Sequence, residues 1–221
     1  MLFQDRRLAG KSLAGELAAY ANRPDVVVLG LPRGGIPVAF EVAKALNAPL
    51  DVLVVRKLGV PDHEELAMGA IASGGVRILN EMIISEGNIS DDAIARIAVQ
   101  EERELERRER LYRGDRPFPD LEDRTVILVD DGLATGATMW AAIASVRKQQ
   151  PAQIIVAVPV AASETYQHLA RVVDKLVCIA QPEPFYSVGI WYNNFPQTTD
   201  DEVCELLAQA ANHDQPLSLG T

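Results

Sequence analysis

Asp130 and Asp131 stand side by side between an apolar run, Val126-Ile127-Leu128-Val129, and a small-residue stretch, Gly132-Leu133-Ala134-Thr135-Gly136-Ala137-Thr138. The apolar run suits a buried central strand. A carboxylate pair directly after it lies where ligands bind in open parallel sheets, at the carboxyl ends of the strands. Gly132 and Gly136 let the backbone turn sharply and approach a ligand closely. The N–H groups of the loop, and of a helix starting at its end, can wrap a phosphate, with Thr135 and Thr138 adding hydroxyl donors. Side chains larger than those of Ala134, Gly136 and Ala137 would fill the phosphate's place. Carboxylates beside a phosphate cradle need a reason, because like charges repel. A sugar phosphate supplies one: its phosphate goes to the loop, its ribose hydroxyls hydrogen-bond the carboxylates, and magnesium can mediate. The plainer alternative is a generic strand-end turn, against which acid pair, small loop and helix start coincide.

Other phosphate chemistries do not fit. The chain has no G-x-x-x-x-G-K-[ST] and no G-x-G-x-x-G after its first strand. Nor does a Ser elbow or a His-rich cluster support a hydrolase. A net charge of −10 and a pI near 4.8 argue against a nucleic-acid partner, whose phosphates are held mainly by Lys and Arg. Cys178 and Cys204 make neither a disulfide framework nor a zinc pattern. No segment approaches the roughly 20 apolar residues of a membrane span, and Met1 to Arg7 is too polar for a signal peptide. A cytoplasmic protein is the simplest expectation.

The elements that must position the acid pair follow from periodicity. Leu8, Leu13, Leu17 and Tyr20 are spaced to share one helical face. Val26 to Leu29 reads as a buried strand, Leu31 to Gly35 as a turn, and Val38, Val42 and Leu46 as one face of the next helix. Val52 to Val55 is a second buried strand. Leu58 to Glu65, with Gly59 and Pro61, reads as a loop, followed by a hairpin with arms Met68–Ala72 and Val76–Leu79. Ser90 is a candidate N-cap, with Ile89 and Ile94 as a hydrophobic staple, for a helix from Asp91 to about Arg113. Its dense Glu and Arg read as a solvated face held by its own ion pairs, or else as a dimer contact or flap. Then come a strand at Val126–Val129, a helix at Ala137–Lys148, a strand at Ile154–Val160, a helix at Glu164–Val173 and a strand at Leu176–Ala180. Alternation of buried strands and helices predicts an α/β fold, a mostly parallel sheet flanked by helices. A long loop, Gln181 to Thr198, carries Phe185, Tyr186, Trp191, Tyr192 and Phe195. Thr199-Asp200-Asp201-Glu202 is a capping box for a last helix, and the tail after His213 is expected to be loose.

The segment Val126 to Thr138 closely resembles the 5-phosphoribosyl-1-pyrophosphate signature of type I phosphoribosyltransferases. That signature is an apolar strand, two acidic residues and a Gly/Thr-rich loop, short but highly specific. The resemblance implies that Asp130 and Asp131 face the ribose hydroxyls, with magnesium near them, and that Ala134, Thr135, Gly136, Ala137 and Thr138 cradle the 5-phosphate. Leu31-Pro32-Arg33-Gly34-Gly35 matches the position of the family's pyrophosphate loop, so Arg33, Gly34 and Gly35 are implied to hold the diphosphate, although alone they are only a turn. Arg56 and Lys57 match the family's basic residues near the diphosphate, and alone would be surface cations. Residues 58–79 look like the family's lid, within a core of about 26–179. Residues 181–212 are a candidate hood, with Trp191 as the ring that could stack on a flat base; equally, the aromatic rings could pack the last helix onto the sheet or form a subunit contact. The whole chain, 1–221, is then one phosphoribosyltransferase-like domain. The chain also resembles a bacterial subgroup of predicted phosphoribosyltransferases sharing the charged helix and the Trp191-Tyr192-Asn193-Asn194-Phe195 loop, a resemblance that leaves the acceptor open.

In that family the diphosphate leaves C1 of the ribose with magnesium assistance, and a nucleophile, usually a ring nitrogen, attacks. The implied activity is transfer of phosphoribosyl to a nucleobase or other small acceptor, with release of pyrophosphate. The alternative is a non-catalytic protein that binds the donor and regulates a partner. A homodimer, through the charged helix or the aromatic loop, is compatible with either.

Overall fold

The computed structural model describes residues 2–61 and 63–213. Its centre is a five-stranded parallel sheet in the order β2-β1-β6-β7-β8, made of β1 (Val26–Gly30), β2 (Leu50–Val52), β6 (Thr125–Val129), β7 (Gln153–Val160) and β8 (Lys175–Ala180). Every residue of β1 and β6 is buried, because helices cover both faces. Alternation sorts the side chains. Val26, Val28, Ile127, Val129, Ile155 and Ala157 face α1 (Arg6–Glu16), α2 (Gly35–Leu46) and α7 (Asp200–His213) in one core. Val27, Leu29, Val126, Leu128, Val156 and Val158 face α5 (Ala137–Arg147) and α6 (Ser163–Leu169) in the other.

A separate three-stranded antiparallel sheet, β3 (Val55–Val60), β4 (His63–Ala72) and β5 (Val76–Leu79), packs on α4 (Asp91–Arg113) and α5. The hairpin of Ala72 with Val76 closes through Gly74 and Gly75, both at positive φ. Of the loop expected over Leu58 to Glu65, residues 58–60 and 63–65 are instead strand, pairing Leu58 with Gly69 and Val60 with His63 across register shifts. Gly59 and Pro61 misled: the glycine sits at an irregular point of the ladder, and the proline lies just past the strand's end, where it breaks no rung. The second buried run is also divided. β2 ends at Val52, and the chain then leaves for the second sheet at Val55.

Local signals held where local chemistry decides. The Ser90 side chain accepts the N–H of Ala93 at 3.3 Å, and Ile94 is buried with Ile89 packed against the same core. Thr199 Oγ1 accepts the N–H of Glu202 at 3.1 Å. One residue of the first predicted face is misplaced. Leu8 points outward at 47% exposure while Ala9 and Leu13 are fully buried, so the helical stripe runs one position over. A short helix, α3 (Glu81–Glu86), was not anticipated, and α6 ends at Leu169, short of the expected Val173. The expectation for the tail concerns residues outside those described. No helix among the described residues is long and apolar enough to cross a membrane.

Candidate functional site

Two loops converge at the carboxyl edge of the central strands. The N–H of Leu31 bonds the carbonyl of Val129 at 2.9 Å, which holds the turn after β1 against the end of β6. That turn contains a cis peptide between Pro32 and Arg33. It runs into α2, whose N-cap, Gly34, makes no side-chain cap. The contact with the acid pair is closest at the glycines. A Cβ on Gly34 would collide with the carboxylate of Asp131 and lie 3.3 Å from Arg6 Nε. A Cβ on Gly35 would stand 2.7 Å from the carbonyl of Val129 and 3.1 Å from Asp130 Oδ1.

The second loop follows the acid pair. Leu133 bridges to Ala161, and Thr165 Oγ1 donates to the carbonyl of Ala134 at 2.5 Å, so the loop is tied to α6. Gly136 takes φ of +72°, which favours glycine, and opens α5 without a side-chain cap. Ala134, Thr135, Ala137 and Thr138 are exposed. The N-termini of α2 and α5 therefore both lack side-chain caps, and helix N-termini of this kind attract anions.

Burial and the neighbouring Asp131 charge push the Asp130 carboxyl well above the ordinary range. Burial also raises Asp131, against the lowering pull of Arg6. Asp130 Oδ1 accepts the N–H of Asp131 at 2.8 Å, and Asp131 Oδ2 accepts from Arg6 Nε at 2.8 Å. Each carboxylate keeps one oxygen outside these bonds.

Arg6 is a site residue that pattern reading did not find. It lies in the first turn of α1, 125 residues from its partner, and carries no motif. Its side chain is only 10% exposed, its Nη1 donates to the carbonyl of Pro196 at 2.7 Å, and its guanidinium lies 3.7 Å from the centre of the Phe195 ring. Tyr192 closes the same corner: its hydroxyl donates to the backbone carbonyl of Asp131 at 2.5 Å, and its ring packs on Phe3 and Phe195 at 5.5 and 4.9 Å. Val188 crowds Gly132, where a Cβ would sit 2.6 Å from Val188 Cγ1. The aromatic C-terminal segment thus packs directly on the acid pair.

The other expected site residues lie further out. Arg33 approaches Asp200 at 3.8 Å, and Asp200 also accepts the Tyr112 hydroxyl at 2.5 Å. Arg56 is engaged by Glu101 of α4 at 2.6 and 2.7 Å. Lys57 is exposed on β3. Trp191 packs on Phe185 at 6.3 Å, its carbonyl takes the N–H groups of Leu2 and Phe3, and its own indole N–H is buried without a partner among the described residues. No group of three or more His, Cys, Asp or Glu among the described residues is placed to hold a metal.

Comparison with known proteins gives the family and the fold. Residues 4–188 match the family model described as the phosphoribosyl transferase domain, a longer stretch than the core 26–179 on which the resemblance rested. A Mycobacterium tuberculosis protein, Rv0571c, provisionally named a phosphoribosyl transferase, is 48% identical over 211 residues. That match covers 95% of this chain and 47% of the relative, so the chain spans about half the length of the curated relatives it matches. The crystal structure of TT1426 from Thermus thermophilus superposes with a TM-score of 0.84 at 40% identity, covering 95% of this chain and 99% of that one. AQ2163 from Aquifex aeolicus shares the fold at 14% identity and a TM-score of 0.51, over 91% and 84% of the two chains. A matched region that begins before Arg6 and runs past the acid pair into the aromatic segment leads to one conclusion: the chain belongs to the phosphoribosyl transferase family.

Proposed function

We propose that the chain binds 5-phosphoribosyl-1-pyrophosphate with magnesium, transfers the phosphoribosyl group to a nucleobase or other small acceptor, and releases pyrophosphate. One observation carries the reading: the Gly34-Gly35 turn and the Asp130-Asp131 pair meet so closely that only glycine fits between them. A diphosphate loop and a ribose-binding pair must be this near, because C1 of the donor joins the two groups they hold. The uncapped N-terminus of α5 supports a 5-phosphate on Ala134 to Thr138, and Thr135 and Thr138 are exposed there to donate.

Asp130 and Asp131 would accept the ribose hydroxyls and hold negative charge beside the cation that develops at C1. Gly34 and Gly35 would present N–H groups to the diphosphate, with Arg33 on the same turn. Arg56 and Lys57 would reach it from β3 once Arg56 leaves Glu101. Residues 58–79 would act as a lid that excludes water, which otherwise hydrolyses the donor. Trp191 and its neighbours would face the acceptor in a hood. The residues fit magnesium in one way only. Carboxylate oxygens of Asp130 and Asp131 lie outside the internal bonds, but no protein cage is present among the described residues, so the ion would be shared with the donor's oxygens, as magnesium prefers. When bound it would supply charge neutralisation for the leaving diphosphate.

The second reading is a donor-binding regulator without turnover. The engagement of Arg33 by Asp200 and of Arg56 by Glu101 favours it, since both cations are occupied. The deciding experiment is pyrophosphate release from the purified protein, given magnesium, the donor and a panel of purine and pyrimidine bases. Release that depends on one base establishes transfer and names the acceptor. Donor binding without release under any base moves the conclusion to the regulator.

A further inference from the structure

The N-terminal segment and the aromatic C-terminal segment form one clamp that ends on Asp131. The two segments run together: the N–H groups of Asn193 and Asn194 bond the carbonyls of Phe3 and Gln4, each at 2.9 Å, and the Asn193 side chain donates to Gln4 Oε1 at 2.8 Å. The Asp5 side chain caps the next helix by accepting the N–H of Leu8 at 2.8 Å, which fixes where Arg6 leaves α1. Arg6 then spans the corner. One nitrogen meets Asp131 and another Pro196, while its flat face covers Phe195. A guanidinium can do all three at once because it is planar and carries its donors in a fixed fork, and an ammonium cannot. Asp131 is gripped a second time through its backbone by Tyr192.

We propose that Arg6 is a positioning residue of the donor site. It sets the direction of the Asp131 carboxylate and makes that carboxylate and the segment 192–196 move as one body. The inference rests on the reading of Asp131 as a ribose-binding group. Arg6 uses one edge of the carboxylate, leaving Oδ1 for the ligand, and holds it in the space beside Gly34 that a side chain there would need. A donor that shifts Asp131 would therefore pull on Phe195 and Pro196, and an acceptor that orders the aromatic segment would steady Asp131. Donor affinity and the order of residues 192–196 are coupled through Arg6, beside the Tyr192 bond to the Asp131 backbone.

The test is a double-mutant cycle of Arg6→Gln and Asp131→Asn, read as donor affinity by calorimetry in magnesium, with thermal melts of each variant. Arg6→Lys serves as the second variant, which keeps the charge in the corner. The expected result is a loss of donor affinity of about ten- to a hundredfold in Arg6→Gln, the scale of a hydrogen bond to a charged group. In the Asp131→Asn background the same change is expected to cost almost nothing further. Arg6→Lys is expected to melt close to the parent yet remain weak in donor affinity, because charge without the fork does not orient the carboxylate. Additive losses in the cycle, or full rescue by lysine, would reduce Arg6 to a structural or purely electrostatic role and overturn the proposal. Unchanged donor affinity in Arg6→Gln overturns it alone. Absence of donor binding by the unsubstituted chain overturns the functional reading and this inference with it.

Discussion

The carboxylate of Asp131 occupies the space that a side chain at Gly34 would need. The two residues lie far apart in the chain, on the turns after β1 and β6, and those strands pair from Val26 with Thr125 to Gly30 with Val129. Register therefore brings both turns to one level, and the turn after β1 can be close only if it has no Cβ.

The neighbouring glycines are expected to fail differently. Gly35→Ala puts a methyl 2.7 Å from the Val129 carbonyl, which is backbone of a buried strand and cannot step aside. Its cost is expected in folding, about 1–3 kcal/mol as for overpacking. Gly34→Ala meets the Asp131 side chain, which can rotate, so its cost is expected mainly in donor affinity. Urea unfolding and donor titration of both variants check the contrast. Equal stability losses with donor binding retained would contradict it.

Asp130 should be a stability liability at neutral pH. Burial and the Asp131 charge raise its carboxyl, so the fold prefers the neutral form. A raised carboxyl contributes stability that is complete below the ordinary value of about 4 and is lost as pH rises through the raised value. Asp130→Asn removes that loss. The variant is expected to melt above the parent at pH 7, with the advantage disappearing toward about pH 4. With Asp131→Asn added, donor binding or turnover is expected to fall by orders of magnitude in a folded protein. Melting curves across pH are decisive: an Asn variant less stable than the parent at neutral pH counts against the assigned direction.

Arg113 holds the long helix onto the edge strand. Its side chain is 4% exposed, and its guanidinium meets Asp51 at 3.0 Å and the Val52 carbonyl at 2.7 Å and lies 5.0 Å from the centre of the Phe118 ring. Arg113→Leu strands a buried carboxylate, and a loss of about 3–5 kcal/mol is expected. Replacing Asp51 by Leu as well should recover most of it, because the paired charges contribute little net stability against apolar substitutes. Denaturant unfolding of the single and double variants measures this. No recovery in the double variant would show that the Val52 carbonyl, not the ion pair, is what matters.

If Arg56 reaches the diphosphate, Glu101 competes with it. Glu101→Gln weakens the 2.6 Å pair, and donor affinity is expected to rise a few-fold. Calorimetry at two salt concentrations checks it, with the gain smaller at high salt as screening already loosens the pair. A fall in affinity would place Glu101, rather than Arg56, among the groups the donor needs.

Much of the fold could be read in order along the chain. β6, α5, β7 and β8 follow from apolar runs and periodicity, and the ends of α4 from Ser90 and the staple, because these depend on neighbours a few residues away. The acid-pair loop was legible for the same reason: strand, carboxylates, small residues and helix start are contiguous. Leu58 to Glu65 was misread because a polar strand in a small, half-exposed sheet lacks the apolar signal, and its pairing partners decide its state.

What only the tertiary structure decided is the company that Asp131 keeps. Sequence alone determined that two carboxylates end a buried strand beside a loop of small residues. It did not indicate that Arg6, Tyr192, Val188 and Phe195 surround them: Arg6 and Val188 carry no motif, and the aromatic run holding Tyr192 and Phe195 does not say what it packs on. Strand order β2-β1-β6-β7-β8 puts the two chemical turns on adjacent strands, and the docking of α1 against β7 and β8 brings the N-terminus to the same edge. Periodicity reports which face of an element is buried, and only packing determines what it is buried against.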